Sequence, residues 1–132
     1  MIILNRVDQT TFGTEWDADD CGNCLQACLA TVLGLSLEDV PHFVHLYGDE
    51  WMEEMQKWLR PRGLGVMRAE AGTKPEGFQL MNGQSPRGDF GHVIVSQDGQ
   101  HYHDPHPSRE GVVGEVYYYV FIALNPSWLG AR

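Results

Sequence analysis

Helical spacing of apolar residues fills the chain from Cys24 to Leu59, and strand-and-turn patterning fills most of the chain after Leu59. That order limits the fold more than any other feature. Leu25, Cys28, Leu29 and Val32 recur at helical spacing, with Ala27 and Ala30 between them, so Cys24–Leu33 reads as a helix. Asn23 or Asp20 can cap its start, and Gly34 can end it. Ser36-Leu-Glu-Asp39 has a capping-box pattern and predicts a short second helix, with Pro41 in its first turn or breaking it. A third helix is expected from about Asp49 to Leu59, with Trp51, Met52, Met55, Trp58 and Leu59 on its apolar side, stopped by Pro61-Arg62-Gly63. Strands are expected at 65–69, 78–81, 92–96, 100–104 and 116–124, with a loop at 85–88 and a turn at Asp98-Gly99. Helices first and strands afterwards predict an α+β fold built on an antiparallel sheet.

At 132 residues the chain is the size of one domain, spanning 1–132. It is long enough to need no disulfides. No stretch approaches the roughly 20 apolar residues of a membrane span, and residues 1–8 lack the features of a signal peptide, so a cytoplasmic location is expected. The formal net charge of -9 makes nucleic acid and anionic membranes unsuited as direct ligands. Lys57, Arg60, Arg62, Arg68 and Lys74 gather in one region, read as a solvated face or a docking patch. Trp51, Trp58, Trp128 and Tyr117–Tyr119 read as core. Trp16, on an acidic loop near the cysteines, is a candidate for lining a cleft.

The only cysteines are Cys21, Cys24 and Cys28, clustered rather than spread as in a disulfide framework. In a reducing compartment such a cluster is catalytic, redox or metal-binding. A thiol attacks as its thiolate, which helix N-terminal N–H groups and a nearby imidazolium stabilise. Cys24 stands where the helix begins. Cys28 lies one turn inside among apolar residues, and Cys21 lies on the acidic loop, where Asp19 and Asp20 oppose its ionisation.

A base and an orienting carboxylate are offered by Gly91-His-Val-Ile-Val-Ser-Gln-Asp-Gly-Gln-His-Tyr-His-Asp104. A three-residue loop, Gln97-Asp98-Gly99, would place His92 opposite Asp104 on one face. A two-residue Asp98-Gly99 turn would send them to opposite faces. Catalysis therefore needs the longer loop or a bulge. Two other readings stand beside this one. His101, His103, Asp104 and His106 with Cys21 and Cys24 could hold zinc, His101 and His103 sharing a strand face. Cys21-Gly-Asn-Cys24 could be a redox pair, although no buried strand precedes it. The expectation is no metal and no cofactor.

Together these segments resemble the papain-like cysteine peptidase superfamily. Cys21-Gly-Asn-Cys24-Leu-Gln-Ala27 is similar to the papain sequence around its nucleophile. The likeness is nearer to small phage and bacterial proteins related to the leader-peptide-cleaving (double-glycine) peptidases. It rests on Gln9-Thr-Thr-Phe-Gly13, Gly22-Asn-Cys24, Ala27-Cys28, Glu38-Asp-Val-Pro-His-Phe43, Gly91-His-Val-Ile-Val95 and His103-Asp-Pro-His-Pro-Ser108. The resemblance implies a papain-like fold, with the nucleophile helix packed on the C-terminal antiparallel sheet. It implies Cys24 as nucleophile, His92 as general base then acid, Asp104 as orienter, and Gln9 as an oxyanion donor beside the Cys24 backbone N–H. The implied activity is hydrolysis of a peptide, isopeptide, amide or thioester bond in a peptide or protein-conjugate substrate. Papain carries its oxyanion glutamine six residues before the nucleophile, where this chain has Ala18, so Gln9 can serve only if residues 14–20 loop out. The leader peptidases carry Asp-Cys-Gly, matched here by Asp20-Cys21-Gly22, which keeps Cys21 open as an alternative nucleophile. A non-enzymatic binding or inhibitor module on the same fold is the rival function.

Overall fold

The computed structural model describes residues 4–124. Three α-helices come first, α1 (Cys24–Leu33), α2 (Phe43–Tyr47) and α3 (Trp51–Leu59). Five strands come next, β1 (Leu64–Glu70), β2 (Phe78–Gln84), β3 (Gly91–Gln97), β4 (Gln100–His103) and β5 (Val113–Ala123). They form one sheet in the order β1-β5-β2-β3-β4, and every neighbouring pair is antiparallel. The fold is α+β, with helices packed on a five-stranded antiparallel sheet.

α1 lies against β3. Leu25, Cys28 and Leu29 are buried as its spacing requires, and Ala27, Ala30 and Thr31 are buried too. Gly34 ends it in the left-handed region, φ 70°, with its N–H on the Ala30 carbonyl. α3 is amphipathic in the ordinary way, burying Met55 and Leu59 while Glu53, Glu54 and Lys57 lie outside. The helix expected after Ser36 is only a 3-10 turn, Leu37–Asp39. Val40 before Pro41 is extended, φ -110° and ψ 125°, as the proline ring demands. Ser36 Oγ bonds the Asp39 carboxylate at 2.8 Å instead of capping an N–H, so the helical path restarts only at Phe43.

One core lies between the helices and the sheet, built from Leu25, Leu29, Met55, Leu59, Leu80, Val93 and Val95 with their neighbours. A smaller cluster, Met81, Ile94 and Tyr118, covers the opposite sheet face with Val112, Val116 and Val120. β3 is therefore buried on both faces, from His92 to Ser96. Trp51 packs edge-on against Tyr119, and Trp58 against Phe43, in keeping with a core role. Trp128 lies outside the described residues. Within the basic region Lys57 pairs with Glu54, Arg68 pairs with Glu70, and Arg62 lies over the Trp58 ring. Among the described residues no single helix is long and apolar enough to cross a membrane.

The β3–β4 hairpin departs from the expected three-residue loop. Gln97 pairs with Gln100 and Ser96 with His101, so the turn has two residues, Asp98 (φ 51°) and Gly99 (φ 76°). Positive φ at both positions is what a type I′ turn needs. The start of β2 holds it there. Asp98 Oδ1 accepts from Gly77 N–H at 2.7 Å, and the buried Gln79 Oε1 accepts from Gly99 N–H at 3.1 Å. The register then shifts, and Val95 pairs with His103. The extra residue is Tyr102, so the face lost by the short turn is regained through a bulge.

Candidate active site

The site begins at the N-terminus of α1. Asn23 sits at the capping position, but its side chain makes no capping bond. Its Oδ1 accepts from Thr10 N–H at 2.8 Å and Thr11 N–H at 3.1 Å, and its Nδ2 donates to Thr10 Oγ1 at 3.0 Å. Gly13 N–H donates to Asp20 O at 2.7 Å and Gly22 N–H to Gly13 O at 2.8 Å, which closes residues 14–20 into a loop. A Cβ on Gly13 would meet the Asp20 carbonyl oxygen at 2.7 Å, so only glycine permits this closure. Two histidines of the α2 region hold the loop from outside. His42 Nε2 bonds Cys21 O, and His45 Nδ1 bonds Trp16 O, each at 3.0 Å. The loop-out that Gln9 required is thus present, and Gln9 and Cys24 line one cleft.

The three thiols are free and differ sharply in setting. Cys28 is fully buried, and burial drives its pKa well up. Cys21 is buried too, and its pKa is raised by burial first and then by Cys24, Asp20 and Asp17. Cys24 is partly exposed at the first position of α1, where helix N–H groups lack intrahelical partners.

His92 is carried by β3, against which α1 packs. Its Nε2 meets Asp104 Oδ1 at 2.7 Å with both side chains buried. His92 and Cys24 line the same cleft, and the nearness of Cys24 favours the charged ring. Burial pushes the His92 pKa down, but the Asp104 hydrogen bond and the nearby Cys24 outweigh it and hold the pKa at about 9. Asp104 is fully buried, which by itself would raise its pKa. The His92 contact and two backbone donors outweigh that. His106 N–H reaches Oδ1 at 2.9 Å and Gly111 N–H reaches Oδ2 at 2.8 Å, and the pKa falls to about 2.

Gln9 is buried beside them. Its Nε2 donates to Thr11 O at 2.9 Å, which also fixes the amide orientation, because a flipped oxygen would face a carbonyl oxygen. Oε1 has no partner among the described residues. One Nε2 hydrogen remains beyond the bond to Thr11. The backbone of Gln9 is tied to the Asp104 loop by its N–H on Pro105 O at 3.1 Å. Arg109, at a positive φ of 56°, grips both sides. It donates to the Asp8 carboxylate at 2.5 and 2.8 Å and to Asp104 O at 2.6 Å.

The cleft over Cys24 and His92 measures about 250 Å³. Trp16 lines it, as its loop position suggested, together with Phe12, Phe90, Arg87 and His106. His106 stands edge-on to His92 at 6.3 Å and to Phe12 at 5.2 Å. A second hollow of about 240 Å³ also borders Cys24 and His92, lined by Trp51, Val44 and Asn82.

The histidines proposed for zinc are dispersed. The bulge leaves His101 exposed and turns His103 inward, where its Nε2 meets Val7 O at 3.0 Å and Asp8 at 3.1 Å. They do not share a strand face. Among the described residues no group of three or more His, Cys, Asp or Glu side chains could hold a metal ion. The roles of His42, His45, Arg87, His106 and Arg109 were missed by sequence reasoning. Only His106 carried a signal, its place two residues after Asp104.

No family model, curated protein or solved structure matches the chain.

Proposed function

We propose that the protein is a cysteine hydrolase of papain-like fold that cleaves a peptide, isopeptide, amide or thioester bond. The observation that carries the reading is the buried His92–Asp104 contact at 2.7 Å, on a cleft that a partly exposed cysteine at a helix start also lines. The packing of the Cys24 helix on the strand that bears His92 supports the papain-like assignment.

In the proposed reaction Cys24 and His92 rest as a thiolate–imidazolium pair, the Cys24 proton residing on the ring, and the thiolate attacks the substrate carbonyl carbon. Asp104 keeps Nε2 hydrogen-bonded and stabilises the imidazolium. The oxyanion is met by the free N–H groups at the start of α1 and by the remaining N–H of Gln9, each donor of this kind being worth about 3 kcal/mol. His92 then protonates the leaving group. Water attacks the acyl-enzyme with His92 as base, and the acid is released with Cys24 restored. The two buried thiols take no part, because their burial opposes ionisation.

One observation favours a binding module on the same fold, namely that Gln9 already spends one amide N–H on Thr11 rather than on the cleft. Alkylation with limiting iodoacetamide across pH, mapped by mass, separates the two readings. Selective reaction at Cys24 at or below neutral pH, lost in His92→Ala, is expected of the hydrolase. Slow reaction at Cys24 that is unchanged in His92→Ala would overturn it and leave the binding module.

A further inference from the structure

The chain has 18 aspartates and glutamates, yet none lines the cleft over Cys24 among the described residues. The basic groups there are Arg87, His92 and His106. His92 is committed to Asp104. His106 has its pKa lowered, by burial first and then by Arg87, so it is neutral at neutral pH. Among the described residues Arg87 is thus the one fixed cation on the cleft wall that the reaction does not use.

Its position is built rather than incidental. Arg87 lies just after β2 on a loop closed by Ser85 N–H to Phe90 O at 2.8 Å, and its own N–H bonds Ser85 Oγ at 3.1 Å. The side chain is 22% exposed, and its Nη1 donates to Ser108 Oγ at 3.0 Å. Glu110 is the only carboxylate within 4.0 Å of it among the described residues, at 3.9 Å and with half its side chain in solvent. A pair that long and that wet contributes little, so it does not explain the arginine. A guanidinium has five N–H donors in a fork that fits a carboxylate with two hydrogen bonds. Most of that fork remains for a ligand.

We infer that Arg87 is a specificity-determining residue that selects substrates carrying a carboxylate close to the bond attacked. The inference rests on the hydrolase reading above. The carboxylate belongs to an acidic side chain or to a free C-terminus, and the chemistry at Arg87 is the same for both. A net charge of -9 repels anions at long range, so a preference for anions has to originate locally.

The test needs no known substrate. Cys24 of the full chain is alkylated by three matched probes, bromoacetyl-Gly-Gln-amide, bromoacetyl-Gly-Glu-amide and bromoacetyl-Gly-Gln with a free C-terminus. Each anionic rate is divided by the neutral rate in the same protein, so a general change in thiol reactivity cancels. In the wild type at least one anionic probe is expected to react roughly five- to tenfold faster than the neutral one. The faster of the two names the source of the carboxylate. The advantage should fall at least about fivefold in Arg87→Gln, persist in Arg87→Lys, and shrink with added salt. Glu110→Gln, which removes the competing carboxylate, should enlarge it. Parity of all three probes in the wild type, or an advantage unchanged in Arg87→Gln, overturns the inference while leaving the thiol–imidazole pair standing. Loss of the pair itself would register separately, as Cys24 reactivity toward iodoacetamide that does not depend on His92.

Discussion

Asn23 occupies the position before the first helical residue, where asparagine ordinarily caps, yet its side chain turns away to hold Thr10 and Thr11. Its work is to bring the Gln9 segment beside Cys24. Asn23→Ser, a substitution that a capping role would tolerate, should therefore destabilise by about 1–3 kcal/mol, much as Asn23→Ala does. Urea unfolding checks this, and a serine variant as stable as the wild type would mean that the clasp contributes little. At Asp104 the carboxylate answers three donors at once. Asp104→Asn replaces one charged acceptor oxygen with a donor and should cost about 2–3 kcal/mol. It should also slow Cys24 alkylation at pH 7 at least about tenfold, since His92 loses the partner that favours its charged form. The helix start at Cys24 and the meeting of His92 with Asp104 were legible because each stands in a telling local pattern. Arg109 was not, because its partners, Asp8 and the Asp104 carbonyl, lie across the fold.

The β3–β4 hairpin carries the clearest lesson at the scale of elements. Its local sequence admits two turn lengths, and the choice is made by Gly77 and Gln79 at the start of β2. The two-residue turn by itself would have parted His92 from Asp104, and the bulge at Tyr102 brings them back to one side. Gly99 at φ 76° should resist substitution. Gly99→Ala is expected to cost about 1 kcal/mol, and Gly99→Val more, because a branched side chain tolerates left-handed backbone least. Thermal unfolding would reveal it, and an alanine variant as stable as the wild type would contradict the positive-φ turn. The short 3-10 turn after Ser36 teaches the same point in reverse. The capping-box pattern was real, but Pro41 removes an N–H and forces its predecessor to extend, so a local start signal met a local stop.

At the scale of the whole molecule the buried His92–Asp104 pair links stability to pH. His92 has its folded pKa raised from 6.5 to about 9. Its contribution is fully present below pH 6.5 and is lost as pH climbs through about 9. Asp104 has its folded pKa lowered from 3.8 to about 2, so its contribution is present above pH 3.8 and is lost as pH falls through about 2. Stability from the pair should form a plateau from about pH 4 to 6.5 and decline on both sides, by about 2–3 kcal/mol on the alkaline side. Unfolding midpoints measured from pH 4 to 9.5 should show that alkaline decline in the wild type and little of it in His92→Gln. Parallel curves for the two proteins would exclude the pair as its source.

Residue spacing alone determined the α+β order and the helix that starts at Cys24, and it marked His92 and Asp104 as two ends of one hairpin. Those properties depend on periodicity and on neighbours within a turn or a hairpin, and such forces act along the chain. The tertiary structure decided the rest. It selected the turn length through β2, dispersed the histidines of the zinc reading, and buried Cys21 and Cys28 while leaving Cys24 partly exposed. It also joined Asp8 to Arg109 across 101 positions of sequence and brought Arg87 to the wall above Cys24. Burial and long-range hydrogen bonds set these features. Both depend on which surfaces meet when the sheet closes under the helices, and no local pattern encodes that meeting.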